Sequence, residues 1–117
     1  AVHHMISTVR SELNLEKYSA EDAIRYSFPM GSMTGAPKIS ALNLIDKHEH
    51  FKRGIYSGSI GYFNPDGDFD FNVVIRSIQY QEDLQIAQVA VGSAITIHCD
   101  AEAEYKECLL KAEKLIR

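Results

Sequence analysis

The segment from Pro29 to Lys38 holds the residues best suited to binding an anion. It combines two prolines, two glycines, one serine and one threonine, and it ends on a lysine. Glycine lets the backbone approach a ligand closely. A loop directly before a helix also presents backbone N–H groups at the positive end of the helix dipole. We therefore predict an anion-binding loop here.

This loop does not match the known nucleotide-binding motifs. A Walker loop needs four residues between its glycines and a lysine directly after the second glycine. Here three residues separate Gly31 from Gly35, and Lys38 comes three positions later. The chain also has no dinucleotide fingerprint and no nucleophile elbow. The pattern therefore indicates an anion other than a nucleotide.

Glu104 and Glu107 form a second candidate site on the last predicted helix. Residues three apart share one face of a helix. Such a pair most often lies on the solvent-exposed face of a helix. The alternative is a metal site, because Mg²⁺ binds through one or two carboxylates together with an oxygen-rich substrate. His3 and His4 lie on a predicted strand, where only one of them can face a given site. Taken alone, the patterns leave both pairs open between structural and chemical roles.

Composition limits the classes of function. The 117 residues fit one domain, and 45% hydrophobic with 24% charged residues is ordinary for a globular protein. A net charge of −4 with scattered basic residues argues against a nucleic-acid partner. No apolar stretch is long enough for a membrane span, and no leader opens the chain. Cys99 and Cys108 lack metal or redox spacing, so a reducing cytoplasmic location is expected.

The helices and strands that position these residues are predicted from the spacing of apolar residues and from helix-capping residues. The order β-α-α-β-β-β-α segregates helices from strands, which predicts an α+β fold with an antiparallel sheet and flanking helices. Ser19 and Asp22 predict a capping box at the start of the first helix. Thr34 or Gly35 is predicted to cap the second helix, and Asp100 the last helix. The predicted elements are strand 2–9, helix 19–28, a helix ending near 48, a three-strand meander over 54–63, 69–80 and 84–98, and helix 101–116. The core stripe predicted for the last helix is Tyr105, Leu109, Ala112 and Ile116.

Five motifs in order resemble the chorismate-utilising enzymes, a family that includes aminodeoxychorismate, anthranilate, isochorismate and salicylate synthases. The resemblance covers essentially all 117 residues. The glycine loop is most similar to the aminodeoxychorismate synthase form, since anthranilate synthases usually carry a Gly-Thr-Val-Ser-Gly-like version. The motifs are His-His-Met-Ile-Ser-Thr-Val (3–9), Phe-Pro-Met-Gly-Ser-Met-Thr-Gly-Ala-Pro-Lys (28–38), Arg-Gly-Ile-Tyr-Ser-Gly-Ser-Ile-Gly-Tyr (53–62), Val-Val-Ile-Arg-Ser (73–77) and Glu-Tyr-Lys-Glu (104–107).

The resemblance implies roles for individual residues. His4 matches the catalytic histidine near the C4 hydroxyl and enolpyruvyl end of chorismate, whereas His3 keeps a structural role. Ser32 matches a substrate-contacting hydroxyl, and Lys38 a supporting lysine. Tyr56 and Arg76 match the pair that binds the enolpyruvyl carboxylate, a task that suits the planar guanidinium fork.

The ring carboxylate and the metal have their own matches. Gly92, Ser93 and Ala94 match the family's glycine cluster, whose backbone N–H groups face the ring carboxylate. Glu104 and Glu107 match the Mg²⁺ ligands. The family usually has more glycines at positions 92–94, and glycine can adopt a positive φ. If the cluster required a positive φ at Ala94, the alanine side chain would make that conformation costly.

The resemblance also implies a function. Residues 1–117 look like the C-terminal part of a chorismate-binding domain, and the first predicted strand at the very start suggests a piece of a longer protein. The implied activity is amination of chorismate at C4 with ammonia from a glutamine amidotransferase, as in component I of aminodeoxychorismate synthase. The alternatives are component I of an anthranilate synthase and a non-catalytic binding or dimerising fragment. A further Mg²⁺ glutamate and a nucleophilic lysine of the family's upstream segments are not among these residues, so we expect this chain alone to be inactive.

Overall fold

The computed structural model describes residues 5–116. Four helices and four strands follow one another in the order α-α-α-β-β-β-β-α within this range. The helices are α1 (Ala20–Ser27), α2 (Gly31–Thr34), α3 (Lys38–His48) and α4 (Ala101–Ile116), and the strands are β1 (Ser59–Phe63), β2 (Phe69–Val73), β3 (Ile78–Gln81) and β4 (Ile86–Val89). The α+β class predicted from the sequence is confirmed.

Two helices begin where their caps predict. At α1 the Ser19 hydroxyl accepts from the Asp22 backbone N–H at 3.2 Å, and the Asp22 carboxylate accepts from the Ser19 N–H at 3.0 Å. At α4 the Asp100 carboxylate accepts from the Ala103 N–H at 2.8 Å. Each contact satisfies a backbone donor that the first turn of the helix leaves free.

The glycine loop contains the short helix α2, which the sequence pattern did not predict. Gly35 ends this helix with a φ of 105°, a conformation in which glycine carries no steric penalty. Pro37 is the residue that caps α3, with an extended backbone and no side-chain cap bond. The predicted cap at Thr34 or Gly35 was therefore wrong, because those two residues belong to α2 and its end.

The strands form two separate antiparallel hairpins instead of one meander. β1 pairs with β2, placing Gly61 opposite Phe71, and β3 pairs with β4, placing Tyr80 opposite Ala87. The predicted strand 69–80 is broken because Arg76 adopts a φ of 51°, which an extended strand cannot contain. The predicted strand 84–98 is regular only over Ile86–Val89.

The predicted first strand is not found where the structure describes it. Residues 5–9 have no strand geometry, and no described strand pairs with them. Without a partner ladder, an extended segment lacks the hydrogen bonds that define a strand. The remainder of that prediction, residues 2–4, lies outside the described residues, as do His3 and His4.

Few side chains in the described range are buried. Val74 is 6% exposed and Ser57 7% exposed, and these two sit where the β1–β2 ladder continues toward the cavity described below. The predicted core stripe of α4 is open, with Tyr105 63% and Leu109 52% exposed. The accessible surface of 10526 Å² exceeds the ~6,400 Å² of a compact monomer of 13.1 kDa. The predicted packing of α4 was therefore wrong for this chain.

Among residues 5–116, no helix has the length and apolar character that crossing a membrane would require.

Candidate functional site

A cavity of about 450 Å³ lies where five parts of the chain meet. Helix α2, the turn after α3, the segment between β2 and β3, the segment after β4 and helix α4 each contribute to its wall. All six residues predicted to bind substrate line this cavity. They are Ser32, Tyr56, Arg76, Gly92, Ser93 and Ala94.

Backbone pairing beyond the β1–β2 hairpin joins the segments that carry Tyr56 and Arg76, both of which line the cavity. The Ser57 N–H donates to the Val74 carbonyl at 2.9 Å, and the Val74 N–H donates to the Gly58 carbonyl at 3.0 Å. Tyr56 and Arg76 therefore flank the last rung of this ladder, although they are far apart in sequence. Ser57 has a φ of 69°, a conformation that few residues other than glycine adopt. Its burial and two-sided hydrogen bonding hold this conformation in place.

Arg76 is the cation of this cavity that has no anionic partner among residues 5–116. No carboxylate of that range lies within ion-pair distance of its guanidinium. The side chain is exposed at the cavity wall, and its backbone adopts the left-handed conformation. A guanidinium with free donors can bind a carboxylate through two parallel hydrogen bonds.

Tyr56 lines the same cavity as Arg76 and supplies a neutral hydrogen-bond donor. Burial raises the pKa of Tyr56, and the nearby Arg53 only partly offsets this effect. The phenol therefore keeps its proton at neutral pH and can donate to an anion. Its hydroxyl packs close to the backbone of Gly92, where an added Cβ would lie 2.9 Å from the hydroxyl oxygen. A glycine at position 92 is what allows this approach.

The segment after β4 supplies another part of the cavity wall through Gly92, Ser93 and Ala94. Neither Ser93 nor Ala94 has a positive φ, so the side chains that replace glycines here cause no backbone strain. The Ser93 hydroxyl donates to the Glu104 carboxylate. The Lys111 ammonium donates to the Gly92 carbonyl at 2.9 Å, so the segment is fastened to α4 at two points.

Glu104 and Glu107 project from α4 toward the same segment. Glu107 forms an ion pair with Lys111 at 2.5 Å. The hydrogen bond from Lys111 lowers the pKa of Glu107, and the positive charge of Lys111 lowers it further. Ser93 and Lys111, which both line the cavity, therefore each hold one of the two carboxylates. Two carboxylates are a ligand set that suits Mg²⁺, which takes its remaining ligands from water or substrate. Residues 5–116 contain no cluster of three or more potential metal-ligating side chains.

Glu104 and Glu107 do not line the cavity themselves, and each contacts it through a lining residue, Ser93 for Glu104 and Lys111 for Glu107. Two other predicted residues lie elsewhere. Lys38 does not line the cavity, and its ammonium donates to the Ser27 carbonyl at 3.3 Å, which links the start of α3 to the end of α1. His4 lies outside the described residues, so its predicted catalytic role stays a prediction.

The sequence reasoning missed Arg53 and Glu49, which also line the cavity. Arg53 donates to Glu49 through its Nε at 2.7 Å and one terminal nitrogen at 2.5 Å. The signal was present, because Arg53 opens one of the five motifs and Glu49 precedes it by four residues.

Comparison with known proteins identifies the family of this chain. The family model described as chorismate binding enzyme matches residues 1–117. The chloroplastic aminodeoxychorismate synthase of Arabidopsis thaliana is 44% identical over 110 residues, which are 94% of this chain and 12% of the relative. The aminodeoxychorismate synthase of Streptomyces pristinaespiralis is 44% identical over 112 residues, 96% of this chain and 15% of the relative.

An anthranilate synthase is also similar. Anthranilate synthase component 1 2 of Haloarcula marismortui is 42% identical over 117 residues, covering 98% of this chain and 22% of the relative. The chain therefore spans less than a quarter of the length of each of these three relatives. The match to the family model nevertheless extends over every residue, and this chain belongs to the chorismate-binding enzyme family.

Proposed function

We propose that this chain is part of an aminodeoxychorismate synthase component I, which replaces the C4 hydroxyl of chorismate with an amino group. The product would be 4-amino-4-deoxychorismate, on the path to p-aminobenzoate and folate. One observation carries the proposal: the six residues to which the family resemblance assigns substrate binding line one cavity. The 44% identity to two relatives named aminodeoxychorismate synthase supports the C4 reaction.

The cavity suits a dianion with two separated carboxylates. Arg76 and Tyr56 would bind the enolpyruvyl carboxylate, the arginine through its fork and the tyrosine through its hydroxyl. Backbone N–H groups of 92–94 would face the ring carboxylate across the cavity. Ser32, on α2, would contact the substrate from a third side. These contacts would fix the ring so that C4 faces the catalytic group.

Glu104 and Glu107 would hold Mg²⁺ next to the ring carboxylate. When bound, Mg²⁺ supplies Lewis-acid stabilisation of negative charge while the C4 hydroxyl departs. Glu107 would first give up its ion pair with Lys111, and Lys111 would keep its bond to the Gly92 carbonyl. Lys111 would thereby continue to hold the segment that carries the carboxylate-facing N–H groups.

His4 would act as the general acid or base at the C4 hydroxyl, because an imidazole titrates near neutral pH. Ammonia would come from a glutamine amidotransferase subunit or domain. Lys38 would support the glycine loop through its contact with α1. A cytoplasmic, reducing location accords with Cys99 and Cys108 being free thiols.

A second candidate is component I of an anthranilate synthase, which the 42% identity to the Haloarcula marismortui relative favours. That reaction aminates C2 and eliminates pyruvate. Product analysis separates the two: the full-length protein is incubated with chorismate, Mg²⁺ and ammonium. We expect aminodeoxychorismate without pyruvate. Anthranilate with stoichiometric pyruvate would establish the second candidate instead.

The isolated 117 residues are the object of a separate proposal. We expect them to show no turnover, because the further Mg²⁺ glutamate and the nucleophilic lysine that the family resemblance implies are not among these residues. The same assay on this chain tests the point. Formation of either product by the isolated chain would contradict it.

A further inference from the structure

Arg53 has the most fully engaged side chain in the cavity wall. Its Nε and one terminal nitrogen donate to the two oxygens of Glu49 at 2.7 and 2.5 Å. Its other terminal nitrogen donates to the Met33 carbonyl at 3.0 Å and to the Ser57 hydroxyl at 3.1 Å. Four of the five N–H groups of the guanidinium are therefore directed at protein acceptors.

The bond to Met33 satisfies a carbonyl that its own helix cannot satisfy. In a continuing helix the Met33 carbonyl would accept from the N–H four residues later, but that residue is Pro37, which has no N–H. Arg53 supplies the missing donor. The position of α2, and with it that of the adjacent Ser32, therefore depends on a side chain twenty residues away.

The bond to Ser57 reaches the second substrate-binding element. Ser57 is 7% exposed and holds a φ of 69° next to Tyr56. The Arg53 carbonyl also accepts from the Tyr56 N–H at 3.1 Å. Arg53 thus touches the turn of Tyr56 through both its side chain and its backbone.

We propose that Arg53, oriented by Glu49, is a positioning residue that holds Ser32 and Tyr56 at the spacing chorismate requires. This inference rests on the proposed function for its ligand. Glu49 neutralises the charge of Arg53 and fixes the plane of its guanidinium. The terminal nitrogen of Arg53 that does not bind Glu49 joins α2 to the Tyr56 turn. Arg53 differs in this respect from Arg76, whose guanidinium has no ionic partner in the described range and is free for substrate.

The competing role for Arg53 is direct binding of a substrate carboxylate. The two roles predict opposite effects for Glu49→Gln. If Arg53 binds substrate directly, removing the charge of Glu49 frees a cation and leaves chorismate affinity equal or higher. If Arg53 positions other residues, the same substitution loosens the fork and weakens chorismate binding.

The test uses full-length protein carrying Glu49→Gln, Arg53→Lys or both. Chorismate Kd, KM and kcat are measured for each. The matched control is Glu102→Gln, which breaks an exposed i,i+4 ion pair with Lys106 on α4. We expect Kd and KM to rise about 10-fold or more in each single variant, with a smaller change in kcat. The Kd and KM of the double variant should be no higher than those of Arg53→Lys, because both substitutions disrupt the same contacts. The control should keep the parent values.

Amide hydrogen exchange provides a readout that needs no ligand. In the parent protein the Gly35 N–H donates to the Gly31 carbonyl at 2.7 Å, and the Ser57 N–H donates to Val74. The positioning role predicts faster exchange at both amides in Glu49→Gln and Arg53→Lys, with α4 unchanged. Parent-like exchange, or parent-like chorismate affinity in Glu49→Gln, would overturn the inference. Failure of the unsubstituted protein to bind chorismate would instead overturn the proposed function, while the exchange result would still test the positioning contacts.

Discussion

The Ser93 hydroxyl donates a hydrogen bond to the Glu104 carboxylate, and this bond joins the segment after β4 to the first turns of α4. One turn later, Glu107 pairs with Lys111, whose ammonium returns to the Gly92 carbonyl. A single helix therefore presents two carboxylates and also fastens the backbone that would face the ring carboxylate. Metal binding and carboxylate recognition are coupled in this account because they share these side chains.

Glu107→Gln tests the proposed metal ligand. We expect the Mg²⁺ concentration for half-maximal activity to rise about 10-fold or more, because a neutral amide replaces a carboxylate ligand. A titration of Mg²⁺ binding by calorimetry in the presence of chorismate checks the same effect without turnover. Glu102→Gln on the same helix, whose side chain is 74% exposed, should leave the titration unchanged. Equal Mg²⁺ affinity in both variants would remove Glu107 from the metal site.

Gly92→Ala tests the close approach of the Tyr56 hydroxyl to the segment after β4. The new Cβ would lie 2.9 Å from the Tyr56 hydroxyl oxygen, so the ring must move away from the carboxylate it is proposed to bind. We expect the KM for chorismate to rise about 10-fold, equivalent to about 1.4 kcal/mol. Tyr56→Phe removes the atom that clashes. The two substitutions together should therefore cost less than the sum of their separate effects, and strict additivity would show that this contact is unimportant.

Gly61→Ala tests the register of the first hairpin. An added Cβ there would lie 2.2 Å from the Asp70 carbonyl oxygen and 2.5 Å from the Phe71 ring. The Asp70 carbonyl cannot move without disturbing the β1–β2 ladder, so we expect a loss of about 2 kcal/mol or more in the free energy of unfolding. Chemical denaturation of the full-length protein measures it. Gly31→Ala, where nothing lies within 4 Å of the new atom, should change stability by less than about 0.5 kcal/mol.

The sequence predicted local features well because their causes are local. The capping box at Ser19 and the cap at Asp100 are short-range hydrogen bonds, and both are present. The six cavity residues were identified by motif, and the structure brings them together. In contrast, periodicity predicted one continuous strand through Arg76. The alternation of residues does not reveal the left-handed backbone at that position.

Arg53 was missed for a related reason. Its four hydrogen bonds reach residues on α2, at the end of α3 and in the Tyr56 turn, and only the fold places these acceptors together. The stripe of apolar residues on α4 also did not predict that this face of the helix is exposed. A helical pattern shows which face can be buried, whereas burial itself depends on what packs against that face.

Arg76→Ala tests the central claim that this cavity binds chorismate through its enolpyruvyl carboxylate. Chorismate is titrated into the full-length protein, its Arg76→Ala variant and an Arg25→Ala control on the exposed surface of α1. Loss of a charge-assisted pair of hydrogen bonds should cost about 3 kcal/mol, which raises the chorismate Kd about 100-fold. Arg76→Lys should recover part of this loss, because an ammonium keeps the charge without the fork. The account predicts a parent-like Kd for Arg25→Ala and a Kd about 100-fold higher for Arg76→Ala; an Arg76→Ala variant that binds chorismate as tightly as the parent would contradict it.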